Sequence, residues 1–390
     1  MSFIYKQDLS PELARNSSRL GRWVVNNDKV FFSKTEALVY CTETDTSDLR
    51  YEFENDVFDS IDWSQEPPED LETLYRRRAE QLRDTYDYVL LAYSGGSDST
   101  NMLRAFVDNR IYPDEVQSSV VAGNGFSENF NTNIEITENI DIIKDYVLAN
   151  GIKYTQHNMY PLYEKLFDDP EWVYKYENFR ASAVCKAVVA SSDDQYRELV
   201  QQGKKCCIIE ALEKPNLRLI NNKFYSFFLD SQLSRRGNYQ AMHNLDFDGL
   251  TFERFYVSGD MPELTIKQTH VMADYFRANQ NKNLHDNLNF GFRENSHVDY
   301  KDLCIDVLYR KDVFDRRSRF SLNKPDSGVY GYRDEWLWAL PDHDKRKQNL
   351  INGFKLASTK IAPKWFNKNN FIYDFVGCPS KMHYIKNLID

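Results

Sequence analysis

Residues 88–106, Tyr-Val-Leu-Leu-Ala-Tyr-Ser-Gly-Gly-Ser-Asp-Ser-Thr-Asn-Met-Leu-Arg-Ala-Phe, constrain the fold more than any other stretch of this 390-residue chain. Tyr88 to Tyr93 is a short apolar run without helical period, the length of a strand buried on both faces. Ser94-Gly95-Gly96-Ser97 then breaks the run. Asp98 and Ser99 suit a helix N-cap and first turn, and Leu103, Phe106 and Val107 follow at helical spacing. The pattern predicts strand, glycine turn, helix. Two glycines permit positive φ and let a ligand approach the backbone with no Cβ in the way. Successive N–H groups and the helix start then form a concavity for an anion, with phosphate or pyrophosphate the natural guest.

Two phosphate-loop patterns do not fit. G-x-x-x-x-G-K-[ST] requires a Lys that is absent here, and G-x-G-x-x-G requires separated glycines where these are adjacent. The frame Ser94-Gly95-Gly96-Ser97-Asp98-Ser99 instead resembles the S-G-G-x-D-S loop of the N-type ATP pyrophosphatases, the PP-loop or adenine nucleotide alpha hydrolase-like superfamily. The resemblance is carried by Tyr93 to Met102; the rest of the chain matches loosely. It implies cleavage of ATP between the α and β phosphates, with Mg²⁺, to adenylate a substrate oxygen. It also implies that Ser94, Gly95, Gly96, Ser97, Asp98 and Ser99 hold the pyrophosphate and that Asp98 binds or orients the metal.

Composition narrows the class. The chain is 42% hydrophobic and 28% charged, as in globular proteins, and long enough for two or three domains. A net charge of −10 argues against nonspecific binding to nucleic acid or anionic membrane. No apolar run reaches the length of a membrane helix, and the first residues do not read as a signal peptide. The six cysteines (41, 185, 206, 207, 304 and 378) include no C-x-x-C, so free thiols in a reducing cytoplasm are expected.

The expected organisation is an N-terminal α+β extension over 1–66, a nucleotide domain over 67–230, and a mixed, mostly helical substrate or lid region over 231–390. In the extension, Arg22–Val25 and Lys29–Phe32 read as strands turning at Asn26-Asn27-Asp28, and Lys34–Tyr40 as a helix. Pro67-Pro68 marks the boundary. Asp70–Arg83 reads as a helix whose arginines mostly form a solvated face. Val116–Ala122 reads as a second apolar strand and Ile152–His157 and Lys204–Ile209 as the third and fourth, with a helix over Thr132–Asn150. This alternation predicts an α/β fold with a doubly wound parallel sheet, its ligand outside the carboxyl ends of the strands. The resemblance places adenine at the end of the second strand, making Val120, Val121 and Ala122 candidates for its pocket; plain sheet core is the alternative.

The resemblance implies that the segment past the fourth strand returns to the active site, which makes Glu210 or Glu213 a candidate Mg²⁺ ligand and Lys214 a candidate cation for the leaving pyrophosphate. An exposed Glu-Lys turn is the alternative. Asn216–Asp230 reads as a β-hairpin turning at Asn221-Asn222, expected to cover a face of the site or an edge of the sheet. Lys267 and His270 share a helix face that suits anion binding or acid–base work. Arg310, Lys311, Arg316, Arg317 and Arg319 form a basic patch. The tail interleaves Arg346, Lys347, Lys355, Lys360 and Lys364 with Trp365, Phe366 and Tyr373, a composition that suits either a nucleic-acid strand or a helical lid.

These features predict an ATP-dependent adenylating enzyme in which a nitrogen or sulfur nucleophile displaces AMP from an unspecified acceptor. The chain lacks the E-C-G-x-H nucleophile, the paired cysteines and the four-Cys zinc site of other PP-loop branches, which favours a nitrogen donor. Met1-Ser2 does not match the start of a glutamine-hydrolysing domain. The region after residue 200 is similar to PP-loop proteins of bacterial viruses, which suggests nucleotide or nucleic-acid modification. Two alternatives stand: an adenine-nucleotide sensor without catalysis, and a nucleic-acid-binding protein led by the basic tail. A homodimer is an open possibility.

Overall fold

A computed structural model describes residues 21–121, 140–169, 171–172, 194–211, 214–230, 250–279, 307–309, 340–369, 372–375 and 377–389. Its centre is a five-stranded, all-parallel sheet flanked by helices, an α/β arrangement compatible with a doubly wound fold.

The sheet is built from β4 (Tyr88–Ala92), β5 (Glu115–Val120), β6 (Lys153–Asn158), β7 (Cys206–Glu210) and β10 (Leu250–Arg254), in the order β10-β7-β4-β5-β6. From β4 the chain steps outward through β5 to β6, then returns to β4's other side for β7 and β10. The winding therefore reverses between β4 and β7, where parallel sheets open a ligand crevice at their carboxyl ends. Alternation along the strands separates two cores. Val89, Leu91, Cys207 and Ile209 join the main core, while Leu90, Cys206 and Ile208 pack with Tyr196, Leu199 and Val200. Those last three lie on the helix Asp194–Gln201. Continuous apolar runs form β4 and β7 because both faces are covered, whereas β6, at the sheet edge, is polar and partly exposed.

The fifth strand comes from beyond residue 230. β10 pairs in register with β7 from Leu250↔Cys206 to Arg254↔Glu210, so the parallel sheet takes its edge strand from the 231–390 segment. The helix α3 (Leu71–Thr85) packs beside β4, capped by Asp70, whose carboxylate accepts from Thr73 N at 2.7 Å. Its arginines are not all solvated. Arg76 and Arg77 are exposed, but Arg78 is buried: its guanidinium pairs with Glu253 at 2.9 Å and donates to the Arg254 carbonyl at 2.8 Å.

In the extension, β1 (Arg22–Val25), β2 (Lys29–Phe31) and β3 (Leu49–Glu52) form an antiparallel sheet in the order β2-β1-β3. The turn uses Asn26 and Asn27 at φ +50° and +62°, a conformation Asn tolerates. The helix α1 (Lys34–Glu43) starts at Ser33, whose hydroxyl accepts from Glu36 N at 3.2 Å. Strand β3 was not expected from the sequence.

The hairpin β8 (Asn216–Ile220) and β9 (Lys223–Phe227) turns at Asn221 and Asn222, both at positive φ. It does not edge the parallel sheet. Instead β9 pairs with β13 (His383–Asn387) in a separate antiparallel sheet, order β13-β9-β8, with α8 (Pro262–Ala278) packed against it. The helix α9 (Lys345–Lys360) packs on α6 (Tyr160–Phe167), and β11 (Phe366–Asn369) pairs with β12 (Ile372–Phe375). The described C-terminal region is thus a mixture of strands and helices. Among the described residues, no helix is long and apolar enough to cross a membrane.

Candidate functional site

The glycine loop follows β4 and feeds the helix α4 (Ser97–Val107) at the reversal of the winding. Gly95 takes φ +83°, a left-handed conformation that favours glycine, and Gly96 is the extended N-cap. Asp98 and Ser99 therefore fall inside the first turn, two and three residues past the cap. Serine hydroxyls stiffen the bend from within. Ser99 Oγ donates to the Gly96 carbonyl at 3.0 Å and accepts from Ser94 N at 3.3 Å, and the two hydroxyls lie 3.2 Å apart. Thr100 Oγ1 also donates to the Gly96 carbonyl, at 2.9 Å, and meets the Tyr93 hydroxyl at 3.0 Å. The amides of Gly95, Ser97, Asp98 and Ser99 have no hydrogen-bond partner among the described residues. A helix start without a side-chain cap offers such donors to an anion.

Lys214 reaches this turn from the segment after β7. Its ammonium lies 2.7 Å from Asp98 Oδ1. Of the side chains expected beyond the loop, it is the one the structure brings directly onto Asp98. Glu210 ends β7 opposite Ala92, so it stands at the carboxyl end of the strand neighbouring the loop. Val121 is buried just past β5, the strand beside β4. Ala122 and Glu213, with the basic patch from Arg310 to Arg319, lie outside the described residues.

Lys267 and His270 are placed in a different cluster. Lys267 binds the Glu66 carboxylate at 2.7 Å and the Pro67 carbonyl at 3.0 Å. His270 is buried, with Nε2 2.9 Å from the Trp63 carbonyl and Nδ1 3.7 Å from Glu66. Burial lowers its pKa below the ordinary imidazole value. The two side chains do share a face, as the spacing implied, but that face clamps the Trp63–Pro67 segment onto α8.

Residues that sequence reasoning did not single out complete the site. The Tyr309 hydroxyl donates to Asp98 Oδ1 at 2.7 Å, and its ring lies 5.4 Å from the Lys214 ammonium. The Tyr256 hydroxyl donates to the Asp98 carbonyl at 2.7 Å and accepts from Asn101 Nδ2 at 3.1 Å. Tyr75 packs edge-on against Tyr256 and donates to the Leu308 carbonyl at 3.2 Å. Burial, with the Asp98 charge adding to it, pushes all three phenols well above their usual pKa. They are neutral donors at physiological pH. A lone Tyr in a chain with 25 of them gives no signal of such a role.

The side chains fit a magnesium polyphosphate. Among the described residues there is no cluster of three or more His, Cys, Asp or Glu able to cage a metal alone. Mg²⁺ bound with a nucleotide needs one or two carboxylates, the remaining positions going to phosphate oxygens and water. Asp98 keeps 40% of its side chain exposed and so remains accessible.

The basic aromatic tail is largely self-paired. Arg346 bonds Asp344, Lys347 lies 2.7 Å from Asp342, Lys364 lies 3.4 Å from Asp45, and Trp365 is buried. Compared with known proteins, the chain matches no protein-family model and no curated sequence.

Proposed function

We propose that this protein is an ATP-dependent adenylating enzyme with a PP-loop at Ser94–Ser99. The observation that carries the proposal is the S-G-G-x-D-S turn at the winding reversal, with open amides and the Lys214 ammonium 2.7 Å from Asp98. The loop amides and the Ser94 hydroxyl hold the pyrophosphate end of ATP. Asp98, with Glu210 on the adjacent strand end, holds Mg²⁺, which when bound supplies positive charge to the phosphate oxygens. Val121, buried past the end of β5, borders the adenine.

The reaction this arrangement serves has two displacements. An acceptor carbonyl or carboxylate oxygen attacks the α-phosphorus, and the bond to the β-phosphate oxygen breaks to release pyrophosphate. A nitrogen or sulfur nucleophile then attacks the adenylated carbon and AMP leaves with the acceptor oxygen. Lys214 is the cation placed to stabilise charge on the departing pyrophosphate. Lys267 is held by Glu66 and the Pro67 carbonyl in the α8 clamp and has no place in this reaction. The paired cations of the tail weaken the nucleic-acid-binding alternative. Four buried free thiols, Cys41, Cys206, Cys207 and Cys378, suit a reducing cytoplasm.

The test is turnover of ATP labelled in the α and γ phosphates, with Mg²⁺ and pooled metabolites or nucleic acid. Substrate-stimulated AMP and pyrophosphate, lost in Asp98→Ala, is the expected outcome. ADP and phosphate would overturn the assignment. Tight ATP binding without turnover in every pool would favour the sensor.

A further inference from the structure

We propose that Tyr309 is a positioning residue for the Asp98 carboxylate, fixing it to receive the divalent cation of a bound nucleotide; this rests on the ATP site proposed above. A carboxylate in the first turn of an exposed helix start ordinarily samples several rotamers. Here Oδ1 is held twice, by the Tyr309 hydroxyl and by the Lys214 ammonium, each at 2.7 Å. The backbone of the same residue is held as well, through the Tyr256 hydroxyl at 2.7 Å. Oδ2 has no partner among the described residues, and the side chain is 40% exposed. One oxygen is therefore pinned while the other is left for a ligand.

The pin is itself braced. Tyr309 is buried, its ring 5.6 Å from that of Tyr256, and the preceding Leu308 carbonyl accepts from Tyr75 on α3. The Tyr309 ring also lies against the Lys214 ammonium, so one side chain sets both members of the ion pair. Partners that orient a metal-binding carboxylate raise metal affinity without touching the metal.

The test uses the full chain and two titrations. ATP binding is measured calorimetrically against Mg²⁺ concentration, and again in EDTA, for the wild type and Tyr309→Phe. The variant keeps the ring and removes only the hydroxyl. The expected result is that half-maximal Mg²⁺ rises about tenfold in the variant. Metal-free ATP affinity stays at the wild-type value, and the thermal unfolding midpoint falls only by the few degrees that one lost charge-assisted hydrogen bond costs. Equal losses in both titrations would show general support of the loop and overturn the positioning role. No change in either titration would also overturn it. A wild type that binds no ATP in either titration would instead overturn the nucleotide site itself.

Discussion

At the residue scale, the loop was legible because its chemistry requires a contiguous pattern. Gly95 is the position where glycine is required: its φ of +83° costs another residue about 1 kcal/mol or more. Gly95→Ala is expected to lower stability by about that amount in denaturant unfolding. At the proposed phosphate site it should lower ATP affinity about tenfold, the loss of one charge-assisted hydrogen bond, measured by calorimetry. Lys214 was legible from its place after a buried strand. Tyr309 was not, because it meets Asp98 across 211 residues and no local pattern marks it.

At the element scale, β4 and β7 were legible as apolar runs and the hairpin as an Asn-Asn turn between alternating segments. Strand β3 was hidden because it has four residues, of which only Tyr51 is fully buried. Strand β10 reads Leu-Thr-Phe-Glu-Arg, and its buried Glu253 disguises it. The same residue explains the misreading of α3, since helical periodicity cannot reveal an arginine neutralised from another element. Removing one member of a buried pair leaves an uncompensated charge, so Arg78→Met is expected to cost about 3–5 kcal/mol. Arg78→Met combined with Glu253→Gln should recover part of that loss. Urea unfolding of the single and double variants measures both.

At the scale of the whole molecule, a buried carboxylate joins three regions that the sequence reading kept apart. Asp230, at the end of the hairpin, pairs with Lys34 at 2.9 Å. It also accepts from Trp23 Nε1 at 2.7 Å and from Cys378 N at 2.8 Å. A second junction stacks His383 on Trp63, ring centroids 4.4 Å apart. Burial, against the opposing influence of Asp59 and alongside Lys381, brings the His383 pKa from 6.5 down to about 4. Between those values the unfolded chain binds a proton that the folded chain does not. Stability therefore falls as pH drops from 6.5 towards 4. His383→Phe is expected to flatten that part of the stability–pH curve, measured by urea unfolding at stepped pH; an unchanged slope would assign it to other groups.

The 211 residues between Asp98 and Tyr309 also set a clock for synthesis. At about 5–20 residues per second, a ribosome completes the glycine loop some 10–40 s before it delivers the tyrosine that hydrogen-bonds to it. The strand that closes the sheet edge and neutralises Arg78 arrives between these two events. A nascent chain thus carries the complete glycine loop well before the hydrogen-bond partner of the Asp98 carboxylate exists.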